Sequence, residues 1–119
     1  MYNKTGNYSF PVATAVSRGQ ILTLSSSDLT FELESGSAPF FVALTDGTAD
    51  LPCAALSVSS APGGAEVLAV AGTYTRGAAV YTDGSGNATA DSTSGNVLGY
   101  YVGETTTLSS TALVQIVFA

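Results

Sequence analysis

Short runs in which apolar and polar residues alternate recur along the chain. In LTFELE, at 29 to 34, the apolar residues are Leu29, Phe31 and Leu33. A period of two places alternate side chains on a buried face and a solvent face of one β-strand. The run TALVQIVFA at 111 to 119 is the clearest strand of this kind.

Turn residues separate the runs. The stretch FFVAL at 40 to 44 is apolar on both faces and ends before Asp46-Gly47, which predicts a central, covered strand. APGG lies between CAALSV at 53 to 58 and AEVLAVAG at 65 to 72, and it predicts a hairpin between them. No window of twelve residues has helical periodicity with good helix formers. We therefore expect an all-β fold, a small single-domain β-barrel or β-sandwich with little or no helix.

The chain divides by pattern into an arm and a domain. Residues 1 to 15 lack a regular period and predict an extended N-terminal arm, ahead of a β domain at 16 to 119. Arg18-Gly19 before ILTL resembles Arg76-Gly77 before AVYT. This echo predicts two pseudo-repeats, 16 to 72 and 73 to 119, in which glycine supplies a turn angle. The other interpretation is that this similarity arises by chance, because a few residue types make up much of the chain.

Composition narrows the function. The chain has 119 residues, is 45% hydrophobic and 10% charged, and has a net charge of -6. Its three basic residues are too few for the cationic surface that nucleic acid requires. It has neither an apolar run of about 18 residues nor the apolar region of a secretory signal. We therefore expect no nucleic acid or membrane partner, and synthesis in a cytoplasm.

Catalytic residue types are scarce. There is no histidine, and the one cysteine, Cys53, has apolar neighbours that favour an inert buried thiol. The phosphate-binding pattern of nucleotide hydrolases is absent as well. Glu32 and Glu34 could form a carboxylate pair, but their spacing favours a solvent-facing pair of side chains. We expect no catalytic residue and no cofactor, and therefore no enzyme.

The loop DGSGN at 83 to 87 is the best candidate for a metal site. Asp83, Ser85 and Asn87 match the first alternate ligands of a calcium loop. The sixth position is Ala88 instead of glycine, and the twelfth is Ser94 instead of glutamate. We therefore favour an ordinary turn and expect no metal. The turn positions that we single out across the chain are Arg18, Gly19, Arg76, Gly77, Asp83, Gly84, Gly95 and Asn96.

Aromatic residues are the remaining candidates for binding. Tyr100 and Tyr101 are consecutive in a strand-like run and must face opposite sides, so one of them is expected at the surface. Exposed aromatics on a weakly charged scaffold are typical anchors of protein interfaces, although core filling is the alternative for most of them. The candidate partner-binding residues are Tyr2, Tyr8, Phe10, Pro11, Tyr100 and Tyr101.

The last 50 or so residues contain an ordered set of turn and strand motifs, namely Arg76-Gly77, Val80-Tyr81, Asn87-Ala88-Thr89, Ser94-Gly95-Asn96, Leu98-Gly99 and Val114-Gln115-Ile116-Val117. In this order they resemble the capsid decoration, or cement, proteins of tailed bacteriophages, some of which have been labelled predicted recombinases. A recombinase needs a nucleotide site and a basic DNA path, and this composition offers neither.

The resemblance implies a virion structural protein made in the bacterial cytoplasm that binds the outer surface of the phage head and stabilises it. Its implied partners are the major capsid protein and further copies of itself, most often as a homotrimer and sometimes as a dimer. An N-terminal arm would pair with capsid segments. The alternative is a ligand-binding, carbohydrate-type β module of a tail or surface protein; an enzyme fragment using Glu32 and Glu34 ranks last.

Overall fold

In a computed structural model, the described residues are 7–25, 29–35, 39–58, 64–93 and 95–118. They form twelve β-strands and no helix, which confirms the expected all-β fold. The strands are β1 Asn7–Pro11, β2 Ile21–Leu24, β3 Phe31–Leu33, β4 Phe40–Ala43, β5 Pro52–Ser57, β6 Gly64–Ala69, β7 Gly72–Tyr74, β8 Ala79–Thr82, β9 Ala88–Thr89, β10 Val97–Tyr101, β11 Thr106–Leu108 and β12 Ala112–Phe118.

The first five strands form one sheet, which we call the N-terminal sheet. Its order is β1-β5-β4-β2-β3, so the apolar strand β4 lies at the centre, as its sequence predicts. All four residues of β4 are buried. The end of β1 meets β3 through a parallel bridge between Val12 and Phe31, which joins the two outer strands.

The later strands form a closed barrel of order β10-β12-β6-β9-β8, which we call the C-terminal barrel. Strands β7 and β11 pair separately beside it. In the barrel, β6 meets β9 through the parallel pair Ala69 and Ala88. This pair occupies the place that Val12 and Phe31 have in the N-terminal sheet.

The two units have the same topology, strand by strand. In the N-terminal sheet Ile21 is opposite Val42 and Leu22 is opposite Phe41. In the C-terminal barrel the corresponding pairs are Ala79 with Tyr100 and Val80 with Gly99. The correspondence continues through β4 with β5 and β10 with β12, and through β1 with β5 and β6 with β12. The unit boundary lies near residues 58 to 64, whereas the sequence predicts repeats that meet at residues 72 and 73.

Residues 7 to 11 belong to the N-terminal sheet. They are β1, which pairs with β5 along its whole length. Strand β1 corresponds to β6 of the C-terminal barrel and is therefore part of the N-terminal unit. We expected the β domain to start at residue 16, but this unit already includes residues 7 to 11. Residues 1 to 6 of the expected arm lie outside the described residues.

The predicted hairpin across APGG is wrong. Strand β5 pairs with β1 and β4, whereas β6 pairs with β12 and β9. The two runs that flank APGG thus belong to different units. The turn residues indicate a reversal, but they do not determine which strand becomes the neighbour.

Candidate functional site

The best candidate for a functional site is an apolar sheet face of the C-terminal barrel, which we call the open face. It includes Val97, Tyr100 and Val117, whose exposed fractions are 43%, 44% and 41%. Tyr100 lies opposite Val117 on one side and opposite Ala79 on the other. These side chains therefore form one continuous patch across β8, β10 and β12.

The corresponding face of the N-terminal sheet is covered. Its residues Ile21, Phe40 and Val42 are 0%, 8% and 0% exposed. They belong to one hydrophobic cluster with core residues of the C-terminal barrel, such as Val67 and Val80. The two units thus share a topology but differ in what covers this face, because the C-terminal barrel covers the N-terminal sheet and leaves its own face open.

The contact between the units also involves a turn and an ion pair. The backbone N–H of Leu68 donates to the carbonyl oxygen of Gly19 over 2.9 Å. Next to it, the guanidinium of Arg18 lies 3.2 Å from the Glu66 carboxylate. Both side chains of this ion pair are half exposed, so we expect it to contribute less than about 1 kcal/mol.

The two Arg-Gly turns have one geometry. Gly19 and Gly77 have φ angles of 91° and 84°. The N–H of Gln20 donates to the Ser17 carbonyl over 3.0 Å, and an equivalent 3.0 Å bond closes the turn at Gly77. This left-handed conformation favours glycine, since a Cβ is strained there. Arg76 then differs from Arg18, because its Nε donates to the Gly103 carbonyl oxygen over 3.0 Å.

Tyr100 and Tyr101 lie on opposite sides of β10. Tyr101 is 6% exposed, in contrast to Tyr100. Its hydroxyl donates to the Glu104 carbonyl oxygen over 2.6 Å, and its ring lies 6.0 Å from that of Tyr74. Tyr74 is buried and donates its hydroxyl to the Val70 carbonyl oxygen over 2.7 Å. Tyr101 therefore fills the core, whereas Tyr100 presents its side chain at the surface.

The N-terminal aromatics pack against the N-terminal sheet. The ring of Tyr8 lies 5.5 Å from Phe41, and that of Phe10 lies 5.4 Å from Phe31, both edge to face. Tyr8 and Phe10 are partly buried against the core of this sheet. Pro11 is exposed at the end of β1, and Tyr2 lies outside the described residues. Most of the surface of Tyr8 and Phe10 is thus occupied within the fold.

The loop at 83 to 87 uses its own acidic group. Asp83 Oδ1 accepts the backbone N–H groups of Ser85 and Asn87 over 2.7 and 3.0 Å. Gly84 and Gly86 have φ angles of 82° and 93°, so glycine fits both positions. In the described part of the chain no group of three or more His, Cys, Asp or Glu side chains could hold a metal ion. At the second predicted turn, Asn96 donates its N–H to Thr82 Oγ1 over 3.3 Å, and a side chain at Gly95 would meet the Thr82 carbonyl.

The two glutamates do not share a solvent face. Glu32 is exposed, but Glu34 is only 1% exposed, so its expected exposure is wrong. Glu34 Oε1 accepts the backbone N–H of Gly84 over 3.1 Å, which joins the N-terminal sheet to the C-terminal barrel. The N–H of Glu34 donates to the Ile21 carbonyl oxygen over 3.0 Å, so Glu34 lies beside Ile21, where the C-terminal barrel covers the N-terminal sheet.

Cys53 is buried in the core of the N-terminal sheet and is 2% exposed. Burial is the main cause that raises the pKa of its thiol above 9.0, and the Asp46 charge adds to it, while a hydrogen bond from Thr45 acts the other way. A raised pKa keeps the thiol protonated at neutral pH, and the thiolate is the reactive form. The arrangement is that of an inert core cysteine.

Comparison with known proteins supports the fold. No protein-family model and no curated protein matches the chain. Among solved structures, it is similar to the head fiber gp8.5 N base of bacteriophage phi29, with a TM-score of 0.68. The similarity covers 95% of this chain and 92% of that one, at 18% sequence identity. The two chains therefore share a fold over nearly all of the length compared.

Sequence reasoning missed most of the open face. It singled out Tyr100 but neither Val97 nor Val117, because a lone valine in a strand does not show whether a second layer covers it. It also missed Leu29, which is 58% exposed and has a φ angle of 55°.

Among the described residues there is no helix long and apolar enough to span a membrane.

Proposed function

We propose that this protein is a structural component of a phage virion that binds the outer surface of the head and stabilises the capsid, without catalytic activity. The observation that carries the proposal is the fold shared with the phi29 head fiber base across 95% of the chain. That protein is a head fiber protein by name. The resemblance of the last 50 or so residues to decoration proteins points the same way.

The surface chemistry is consistent with protein–protein contacts, both to the capsid and between neighbouring copies of this chain. The open face offers a valine and tyrosine patch for one such contact, and an exposed tyrosine supplies large contact area at a low cost in side-chain entropy. With an affinity near micromolar, each copy would contribute about 8 kcal/mol of binding free energy. Many copies that each bridge neighbouring capsid subunits would then resist internal DNA pressure together. The major capsid protein is the proposed partner.

Co-sedimentation tests this proposal. Purified protein is mixed with phage heads that lack it, and bound copies per major capsid subunit are measured against concentration. We expect saturation at a fixed ratio set by the capsid lattice. Binding that never saturates, or no binding at all, would contradict capsid decoration.

A carbohydrate-binding module is the second candidate, because the exposed ring of Tyr100 could stack on a sugar. A glycan array separates the two functions. Strong binding to one glycan class, lost in Tyr100→Ala, together with no binding to heads, would favour the module. A silent array would count against it.

A further inference from the structure

In the internal contact, one surface of the C-terminal barrel packs on one surface of the N-terminal sheet. Because the two units share a topology, each unit also has the equivalent of the other unit's contact surface, and these two equivalent surfaces have no partner within the fold; we call them the unused surfaces. The C-terminal barrel contacts the N-terminal sheet through Gly86, whose carbonyl oxygen accepts the N–H of Ile21 over 2.7 Å. A Cβ at Gly86 would lie 2.8 Å from the Leu33 side chain. The contact is thus a glycine seated against two large aliphatic residues, Ile21 and Leu33.

The residue that corresponds to Gly86 in the N-terminal unit is Leu29, as the alignment of β3 with β9 shows. Both have a left-handed backbone, with φ angles of 55° and 93°. A leucine is strained in this conformation by roughly 1–2 kcal/mol. Leu29 is also 58% exposed, so the chain keeps a strained leucine at a place where the fold itself gives it little cover.

The residues that correspond to Ile21 and Leu33 are Ala79 and Ala90, by the same register. They line a depression in the C-terminal barrel together with Ala78 and Tyr101. The large and small side chains are therefore exchanged between the two contacts. Inside the chain, Gly86 packs against the large residues Ile21 and Leu33. At the exposed surfaces, the large residue is Leu29 and the two small residues are Ala79 and Ala90.

The Arg76-Gly77 turn next to this depression is uncovered, in contrast to the Arg18-Gly19 turn. A Cβ at Gly19 would lie 2.5 Å from Leu113 and 3.0 Å from the Leu68 nitrogen, whereas a Cβ at Gly77 would meet nothing within 4 Å. Pro11 and Pro52, which pair with each other, occupy the places of Leu68 and Leu113 in the N-terminal unit and are exposed. These two prolines lie on the same unused surface as Leu29.

We propose that a second copy of this chain binds head to tail, with its Leu29 surface on the open face of the C-terminal barrel and Leu29 in the depression between Ala79 and Ala90. The contact repeats the one between the two units within a chain. It buries Tyr100, Val97 and Val117 as the internal contact buries Val42 and Phe40. A head-to-tail contact of this kind closes into a ring when its rotation permits.

The proposed contact is less polar than the internal one. Pro11 has no N–H to replace that of Leu68, and Ser9 stands in place of Glu66, so the Arg18 ion pair has no counterpart at Arg76. Apolar burial must therefore provide most of the binding free energy. We expect a reversible association that depends on concentration and is only weakly sensitive to salt.

Sedimentation velocity on the purified full chain, from micromolar to millimolar concentration, measures this association without a capsid. Leu29→Gly removes the buried side chain and should weaken association about 10- to 100-fold. It should not lower the unfolding midpoint, since glycine relieves the left-handed strain. Ala90→Leu fills the depression and should weaken association as well. The double variant recreates the glycine-against-leucine contact seen inside the chain and should associate more tightly than either single variant.

Mixing distinguishes a head-to-tail contact from a symmetric one. Leu29→Asp blocks one surface and Tyr100→Asp blocks the other, each weakening self-association on the order of 100-fold because a charge would be buried. A mixture of the two keeps one intact pair of surfaces and should form a one-to-one heterodimer. Ser109→Asp, an exposed position on neither surface, should associate as the wild type does. A monomeric wild type, unchanged association in Leu29→Gly, or a mixture that stays monomeric would each overturn the proposal.

Discussion

Replacing Gly19 and Gly77 with alanine tests the arrangement of the two units directly. The two glycines have nearly the same φ angle, 91° and 84°, in equivalent turns. Each substitution therefore carries the same left-handed strain, roughly 1–2 kcal/mol. Only Gly19 is also crowded, with Leu113 at 2.5 Å and the backbone nitrogen of Leu68 at 3.0 Å from an added Cβ.

Overpacking of this kind adds about 1–3 kcal/mol, because the backbone of β6 must shift. We expect Gly77→Ala to lower the free energy of unfolding by about 1–2 kcal/mol and Gly19→Ala by about 2–5 kcal/mol. Urea denaturation followed by circular dichroism measures both, at a protein concentration low enough for the monomer. Equal losses for the two variants would refute the reasoning, since they would mean that the C-terminal barrel does not cover the Gly19 turn.

Three further predictions concern the interior and the N-terminus. Tyr74→Phe removes the hydroxyl that donates to the Val70 carbonyl and should cost about 1–3 kcal/mol by urea denaturation; no loss would contradict the bond. Burial raises the folded pKa of Cys53, so its contribution to stability is complete below the unfolded pKa near 9.0 and is lost as the pH rises through the folded pKa. At pH 8 the thiol is buried and protonated, so thiol reagents should label it slowly until urea unfolds the protein. Rapid labelling of the native protein would contradict its burial. Removing residues 1–14 deletes β1 and should unfold the N-terminal sheet; a folded deletion variant would contradict the pairing of β1 with β5.

Strand identity was predictable where the local pattern is strong. The fully apolar run at β4 gives a central covered strand, and the alternating run at β12 gives a long strand. The two Arg-Gly pairs were predictable as turns because glycine tolerates positive φ. In these places the local conformational preference and the tertiary environment agree, so the local sequence pattern is enough to predict the strand or the turn.

Neighbour relations were not predictable in the same way. The tight reversal expected between 53–58 and 65–72 would pair β5 with β6, but β5 pairs with β1 and β4, whereas β6 pairs with β12 and β9. The alternation of Tyr8, Ser9 and Phe10 is too short to predict a strand, and it ends at Pro11. Their strand is held by pairing with β5, and a single sequence does not show that pairing.

The candidate site illustrates the same limit on a smaller scale. Leu29 and Glu34 fit a period-two pattern that places the leucine inside and the carboxylate in water. The structure has the reverse, with exposures of 58% and 1%. Leu29 precedes β3 and has a left-handed backbone, whereas Glu34 follows β3 and is buried by the contact with the C-terminal barrel at Gly84.

Electron cryo-microscopy of phage heads with and without this protein tests whether it decorates the capsid. We expect added density on the outside of the shell, at a repeating lattice position, into which the N-terminal sheet and C-terminal barrel fit. Heads lacking the protein should also break at a lower temperature than decorated heads. Density confined to the tail, or heads identical with and without the protein, would contradict a role on the capsid surface.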